Sequence, residues 1–345
     1  MSQGKTLHIC LITALFALCS SFLFLFCLCG CVSEGNDSSE KLPNQENEAY
    51  LLGISFPATE LAFRKSMFDI AENRYGDNSE DKKVQIITKD AHGSQQQQNQ
   101  DIIDLVDDGV DGIVVIPGTI EGSLSAINYA NNKDIPVITV DNRIEESSSA
   151  DVISYVGADH YQMGKQAAEF LINSLEKQCA DKDVWKIIEL TGPKESSGAI
   201  DRGNGIADVL EADERIKVVG RYNAEFEESN AYSVMEDVLL LNPDIDGVIC
   251  QNDMMALGCS SAIQEAKLEN AIVLVGIDGQ SDLLKEMSAG YINGTVAQSP
   301  EIIIKGIECL CDYLDGKPLQ PLYIEETQIV SAVDADNYLA THTNW

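Results

Sequence analysis

The sequence predicts an α/β protein of two doubly wound parallel sheets with helices on both faces. Three observations carry this. Short apolar, β-branched runs alternate with stretches at helical spacing along nearly all of the chain after residue 50, the pattern of repeated βαβ units. At 345 residues there is length for two domains of ordinary size. Three late strands also stop abruptly on hydrogen-bonding side chains, as strands do at the carboxyl edge of an open sheet.

Those three corners read G-V-I-C-Q-N-D-M-M-A-L-G (Gly247 to Gly258), V-L-V-G-I-D-G (Val273 to Gly279) and G-T-V-A-Q-S-P (Gly294 to Pro300). Each apolar run has the length of a buried parallel strand. They end on Gln251, Asn252 and Asp253, on Asp278, and on Gln298. Successive strands of one sheet lie side by side or nearly so, and the tips are therefore expected to converge on one crevice, the functional site.

The remaining elements follow in order. Tyr50 to Ser55 reads as a strand, Leu61 to Arg74 as a helix, Val84 to Thr88 as a strand, and Gln95 to Val106 as a helix whose Gln run is its polar face. Gly112 to Ile116, Leu124 to Asn131 and Pro136 to Val140 continue as strand, helix, strand. A second set opens at Val152 to Val156 and runs through Tyr161 to Leu175, Trp185 to Leu190, Ala199 to Leu210, Ile216 to Tyr222 and Ala231 to Leu241 to the three corners.

Before this body lies an export signal. Lys5 gives a positive start, Leu7 to Leu28 is apolar, and Leu28-Cys29-Gly30-Cys31 resembles a bacterial lipobox. The resemblance implies cleavage after Gly30, lipidation of the Cys31 thiol and an extracytoplasmic protein anchored to the cell membrane. A permanent transmembrane anchor is the alternative by length alone. Residues 31–49, rich in Ser, Asn and Glu, read as a flexible tether. Loss of residues 1–30 removes Lys5 and no acid, so 22 basic residues face 56 acidic ones and the net charge moves from -33 to -34.

That charge excludes nucleic acid as a partner, since phosphates need a basic face. A hydrophobic content of 44% and a mean hydropathy of -0.08 describe a globular chain, not a membrane bundle. Outside the signal the cysteines are Cys179, Cys250, Cys259, Cys309 and Cys311, an odd number without the spacing of a disulfide framework. Cys309-x-Cys311 has no nearby His, so no metal is expected. Catalysis is not expected either: there is no G-x-S-x-G elbow, H-E-x-x-H, Walker loop or early G-x-G-x-x-G, and the only His are at positions 8, 92, 160 and 342. His160 reads as a hinge or cap residue. No cofactor is implied.

Q-N-D-M-M-A-L-G, V-G-I-D-G and the A-Q before Ser299 resemble the ribose/galactose-type periplasmic sugar-binding proteins of bacterial ABC importers, over about residues 50 to 330. The resemblance implies the type I periplasmic binding protein fold: two lobes, a hinge of three chain crossings and a ligand between the lobes. It divides the chain into 50–158 plus 299–326 and 159–298 plus 327–345, and implies a monomer. It also implies capture of a carbohydrate or polyol for delivery to an ABC permease. A ligand sensor of the same fold, facing a chemoreceptor or histidine kinase, is the alternative. A cytoplasmic repressor is excluded by the signal and by the lack of a basic helix-turn-helix.

Carried over residue by residue, the resemblance gives Asp141 as acceptor from two sugar hydroxyls, Arg202 as a ligand-binding guanidinium and Phe226 as a ring against the sugar's C–H face. It gives Asn252, Asp278 and Gln298 as the corner ligands. Carboxylates, a guanidinium fork and amides suit hydroxyls, which both donate and accept. Each has a plainer structural reading: Asp141 and Asp278 as helix caps, Arg202 in an ion pair, Phe226 as a core ring. Asn142 stands where ribose binders carry Arg, with Arg143 one place on. At the first corner, S-F-P-A-T-E-L-A-F-R puts Ala58, Glu60 and Leu61 where ribose binders carry an Asn and two Phe. Ribose is therefore doubtful, and Glu60 is expected either in the site, satisfied by the ligand, Arg64 or Arg143, or facing solvent in the first turn of its helix, where the dipole favours it. Phe63 is near enough to replace one lost ring, though helix spacing equally allows it to be buried in the core.

Overall fold

The computed structural model describes residues 49–345 except 78, 80–82, 147, 270 and 343–344. The expected signal, the tether through residue 48 and the lipidation site Cys31 lie outside the described residues.

The first sheet contains β1 (Tyr50–Phe56), β2 (Val84–Asp90), β3 (Gly112–Val115), β4 (Val137–Val140) and β5 (Ser154–Ala158), with α1 (Ala62–Tyr75), α2 (Gln95–Asp107) and α3 (Leu124–Asn131) between the first four. The chain then forms α4 (His160–Gln178), β6 (Trp185–Thr191), α5 (Ser197–Leu210), β7 (Ile216–Asn223), α6 (Glu228–Leu241), β8 (Gly247–Cys250), α7 (Asp253–Glu265), β9 (Val273–Asp278), α8 (Ser281–Ser288) and β10 (Gly294–Ala297). It ends with α9 (Ile302–Leu314), β11 (Leu322–Glu325), β12 (Gln328–Ser331) and α10 (Ala335–Thr341).

Strand order is β2-β1-β3-β4-β5-β11 in one sheet and β7-β6-β8-β9-β10-β12 in the other. All pairs are parallel except β10 with β12. Central strands β3, β4, β8 and β10 are buried at every residue, which is why they read as unbroken apolar runs. Apolar clusters pack on both faces of each sheet. The chain passes between sheets after β5, after β10 and between β11 and β12. Each sheet reverses its order, at β1/β3 and at β6/β8, which creates the switch-point crevices where such sheets bind ligands.

Two expectations change here. The strand near Val152 to Val156 does not open the second sheet: β5 pairs with β4 and β11 in the first. The Gln run is not all polar face. Gln98 is fully buried, its Nε2 donating to Ile116 O and its Oε1 accepting from Gly118 N, which fixes the turn after β3.

Helices α4 and α5 approach at backbone distance because of two glycines. A Cβ on Gly164 would lie 2.1 Å from Arg202 O, and one on Gly205 2.1 Å from Tyr161 O. This contact sets the depth at which Arg202 enters the space between the lobes.

Candidate ligand-binding site

One cavity between the lobes is lined by Leu61, Phe63, Arg64, Asp141, Asn142, His160, Ser196, Arg202, Phe226, Asn252, Met254, Asp278, Gln280 and Gln298, among others. Every lining residue follows the carboxyl end of a strand or lies in the first turns of the next helix. Three of them have backbones that L-residues seldom adopt: Asp141 at φ 64°, Phe226 at φ 63° and Asp278 at φ 138°. Strain of this kind is held only where the surroundings over-determine it, and it concentrates at functional sites.

Arg202 is the centre of the wall. It is buried, donating from Nε to His160 Nδ1 at 3.3 Å, from Nη1 to Gln251 O at 2.5 Å and from Nη2 to Asp278 Oδ1 at 3.0 Å. Because a guanidinium only donates, His160 Nδ1 must accept, so the imidazole proton sits on Nε2, which donates to Asp141 O at 2.9 Å. His160 therefore joins the two lobes' chemistry instead of capping α4; Asp159 is the cap, accepting from Gln162 N.

Asp278 Oδ1 also accepts from Gln298 Nε2 at 2.8 Å, and its Oδ2 takes no donor from the described residues. That bond turns the Gln298 amide so that Oε1 is buried without a partner. Burial pushes the Asp278 carboxyl up and the Asp141 charge adds to this, while Arg202 and Gln298 pull it down; the net direction is upward. Asp141 goes the other way. Burial raises it, but the His160 imidazole beside it and the charges of Arg64 and Arg202 outweigh that and hold it below the usual range. Tyr155, whose hydroxyl donates to Asp141 O at 2.8 Å and Ala158 O at 3.2 Å, ties this corner to the chain crossing after β5.

Arg64 behaves unlike Arg202. Its guanidinium makes no hydrogen bond with the described residues; burial lowers its pKa, and the charges of Asp141 and Asp90 oppose that. Arg64 is in the first turn of α1, and Phe63 beside it packs edge-on against Trp345 with ring centres 5.2 Å apart.

Of the residues expected from sequence, seven meet in this cavity: Asp141, Asn142, Arg202, Phe226, Asn252, Asp278 and Gln298. Neither Asp141 nor Asp278 caps a helix; α8 starts from Gln280. Two amides are already engaged. Asn252 caps α7 through Met255 N and donates to Phe226 O. Asn142 Nδ2 donates to Pro117 O, and its Oδ1 accepts from Ser196 Oγ, Ser197 Oγ and Gly198 N of the facing lobe. With Arg143 paired to Asp201 at 2.7 Å, Asn142 clasps the lobes together.

Glu60 is the correction. It lies outside the cavity, its side chain 62% exposed, with Oε1 3.0 Å from His92 Nδ1. Neither Arg64 nor Arg143 satisfies it; the loop after β2 does. Glu60, Asp90 and His92 form the one gathering of metal-type donors among the described residues. Asp90 already accepts from Thr59 and from His92 N there.

The space enclosed is about 40 Å³, enough for a few waters. A ring-sized ligand therefore enters only as the lobes part about the three crossings.

A family model described as a periplasmic binding protein domain matches residues 52–318. The ribose import binding protein of Bacillus subtilis is 31% identical over 86% of this chain and 92% of its own length. The galactofuranose-binding protein of Escherichia coli is 29% identical over 76% and 81%. The crystal structure of a galactofuranose binding protein superposes with a TM-score of 0.78 at 24% identity, covering 84% of this chain and 97% of that one.

Proposed function

This chain belongs to the periplasmic binding protein family, whose matched relatives are solute-binding proteins and not enzymes, and from that membership we propose that it captures a neutral sugar or polyol between its lobes for an ABC importer. The observation that carries the reading is the balance of the cavity wall. Two carboxylates, Asp141 and Asp278, face two guanidinium groups, Arg64 and Arg202. Formal charge cancels, so a charged ligand would leave one group uncompensated in a buried site. A polyhydroxylated neutral ligand fits instead. Gln298 Oε1 and Asp278 Oδ2 are free to accept hydroxyl protons and Arg64 is free to donate, while Phe226 and Phe63 offer apolar faces to a ring.

This balance disfavours an amine-bearing ligand. Phe63 supplies a ring near the corner where ribose binders carry two, and the galactofuranose-binding relative makes a five-membered sugar ring the leading candidate. The family supports an extracytoplasmic location, and Leu28-Cys29-Gly30-Cys31 supports a lipid anchor at Cys31.

The test is a thermal-shift screen of residues 46–345 against pentoses, galactose, xylitol and myo-inositol, with glucosamine and glucuronate as charged members. A neutral compound is expected to raise the melting temperature by several degrees; a response to the charged members alone would overturn the reading. Delivery is checked by labelled uptake in the host with and without the gene. Unchanged uptake of the bound ligand would point to sensing.

A further inference from the structure

The residue after Asn252 is not on the cavity wall. Asp253 is fully buried behind it, and its carboxylate Oδ2 accepts Gly279 N–H at 2.6 Å and Gln280 N–H at 2.8 Å. Its Oδ1 accepts the Thr295 hydroxyl at 2.8 Å. Gly279 and Gln280 follow β9, and Thr295 lies on β10. One side chain from the tip of β8 thus fastens the tips of the next two strands. The stretch it holds contains Asp278, a non-glycine residue at φ 138°, backbone that persists only under restraint from its surroundings.

We propose that Asp253 is the positioning residue of the cleft: by holding the Gly279 and Gln280 amides it keeps Asp278 in the backbone form that aims its carboxylate at Arg202, Gln298 and the ligand. The consequence for affinity rests on the cleft's being the sugar site; the hold on the backbone does not.

The restraint works in two protonation states. Burial, and then the Asp278 charge, push the Asp253 carboxyl up to about 7. Cys250 and Tyr338 also lie in its field. When Asp253 is protonated, Oδ2 keeps both amide protons and the new O–H on Oδ1 donates to Thr295, whose hydroxyl turns from donor to acceptor. Asp253→Asn reproduces this state: the carbonyl takes the two N–H groups and the amide donates to Thr295. Asp253→Ala supplies nothing.

The sign of the pH effect follows. A carboxyl raised in the folded state binds more protons than in the unfolded chain between about pH 4 and 7. Its contribution therefore favours folding at acid pH and is lost as pH rises through 7.

The experiment uses the ligand-free full chain. Hydrogen exchange of the segment Ile277–Leu283 should accelerate at least tenfold in Asp253→Ala, with β8 unaffected, and stay at the wild-type rate in Asp253→Asn. Wild-type exchange in Asp253→Ala would overturn the proposal. Should that variant fail to fold, the melting temperatures of wild type and Asp253→Asn decide between pH 5 and 8. Asp253→Asn should gain on wild type as pH rises, and exchange of Ile277–Leu283 in Asp253→Asn faster than in wild type would overturn the proposal. Because neither readout involves ligand, failure here is separable from failure of the sugar reading.

Discussion

Two guanidinium groups line the cavity, and replacing each with Met should separate binding from folding. Arg202 has three protein acceptors, so Arg202→Met leaves Asp278, His160 and Gln251 O short of a donor in a buried setting. Breaking a buried pair costs about 3–5 kcal/mol of stability. Arg64 has no hydrogen-bond partner among the described residues, so Arg64→Met removes a donor the ligand would use and one charge opposite Asp141, but no bonded partner. Hydrogen bonds from a charged group contribute about 1.5–3 kcal/mol, which is about a 10- to 150-fold loss of affinity. The assay is isothermal titration with the tightest neutral ligand from the screen, beside chemical denaturation of each variant. Arg64→Met should bind weakly while losing much less stability than Arg202→Met, which should lose both. Wild-type affinity in Arg64→Met, or equal destabilisation of the two, would refute the division of labour.

Three further outcomes are expected. Glu60→Phe should change affinity less than threefold, since Glu60 faces His92 and not the cavity; a tenfold change in titration would return it to the site. Asn142→Ala removes three acceptor contacts across the lobes, at a cost of about 1–3 kcal/mol to the closed form; ligand release by stopped flow should be at least tenfold faster, and an unchanged rate would show that the clasp does not hold the closed state. Cys31→Ser should move the chain to the aqueous phase of a detergent partition of host membranes, where wild type stays in the detergent phase; wild type in the aqueous phase would remove the anchor.

Much of this was legible in the sequence because it is written in periodicity. Buried parallel strands are apolar at every residue, so their polar ends stand out, and Asn252, Asp278 and Gln298 could be read as crevice groups. The resemblance added Asp141, Arg202 and Phe226. What the chain order hides is pairing between distant segments. Glu60 looked available because His92, its partner, is 32 positions away. His160 was read as a hinge or cap residue; it does not cap, and its partners Asp141 and Arg202 are brought together only from two lobes. Arg64 had a visible signal: three residues beyond Leu61 on one helix, the two share a face. Asn142 was read as a replaced ligand residue, but its Oδ1 is spent on the facing lobe and its Nδ2 on Pro117 O of its own, which only the closed arrangement reveals. Gln98 looked like surface because a Gln run resembles a solvated face; one of its four members turns inward to satisfy a buried turn.

The most direct measurement compares one sugar in three charge states. The neutral ligand from the screen, its amino-sugar analogue and its uronic-acid analogue are titrated calorimetrically into the wild-type protein. With Asp141 and Asp278 balanced by Arg64 and Arg202, the neutral form should bind at least tenfold more tightly than either charged form. Tighter binding of the amine or of the acid would contradict a charge-balanced sugar site.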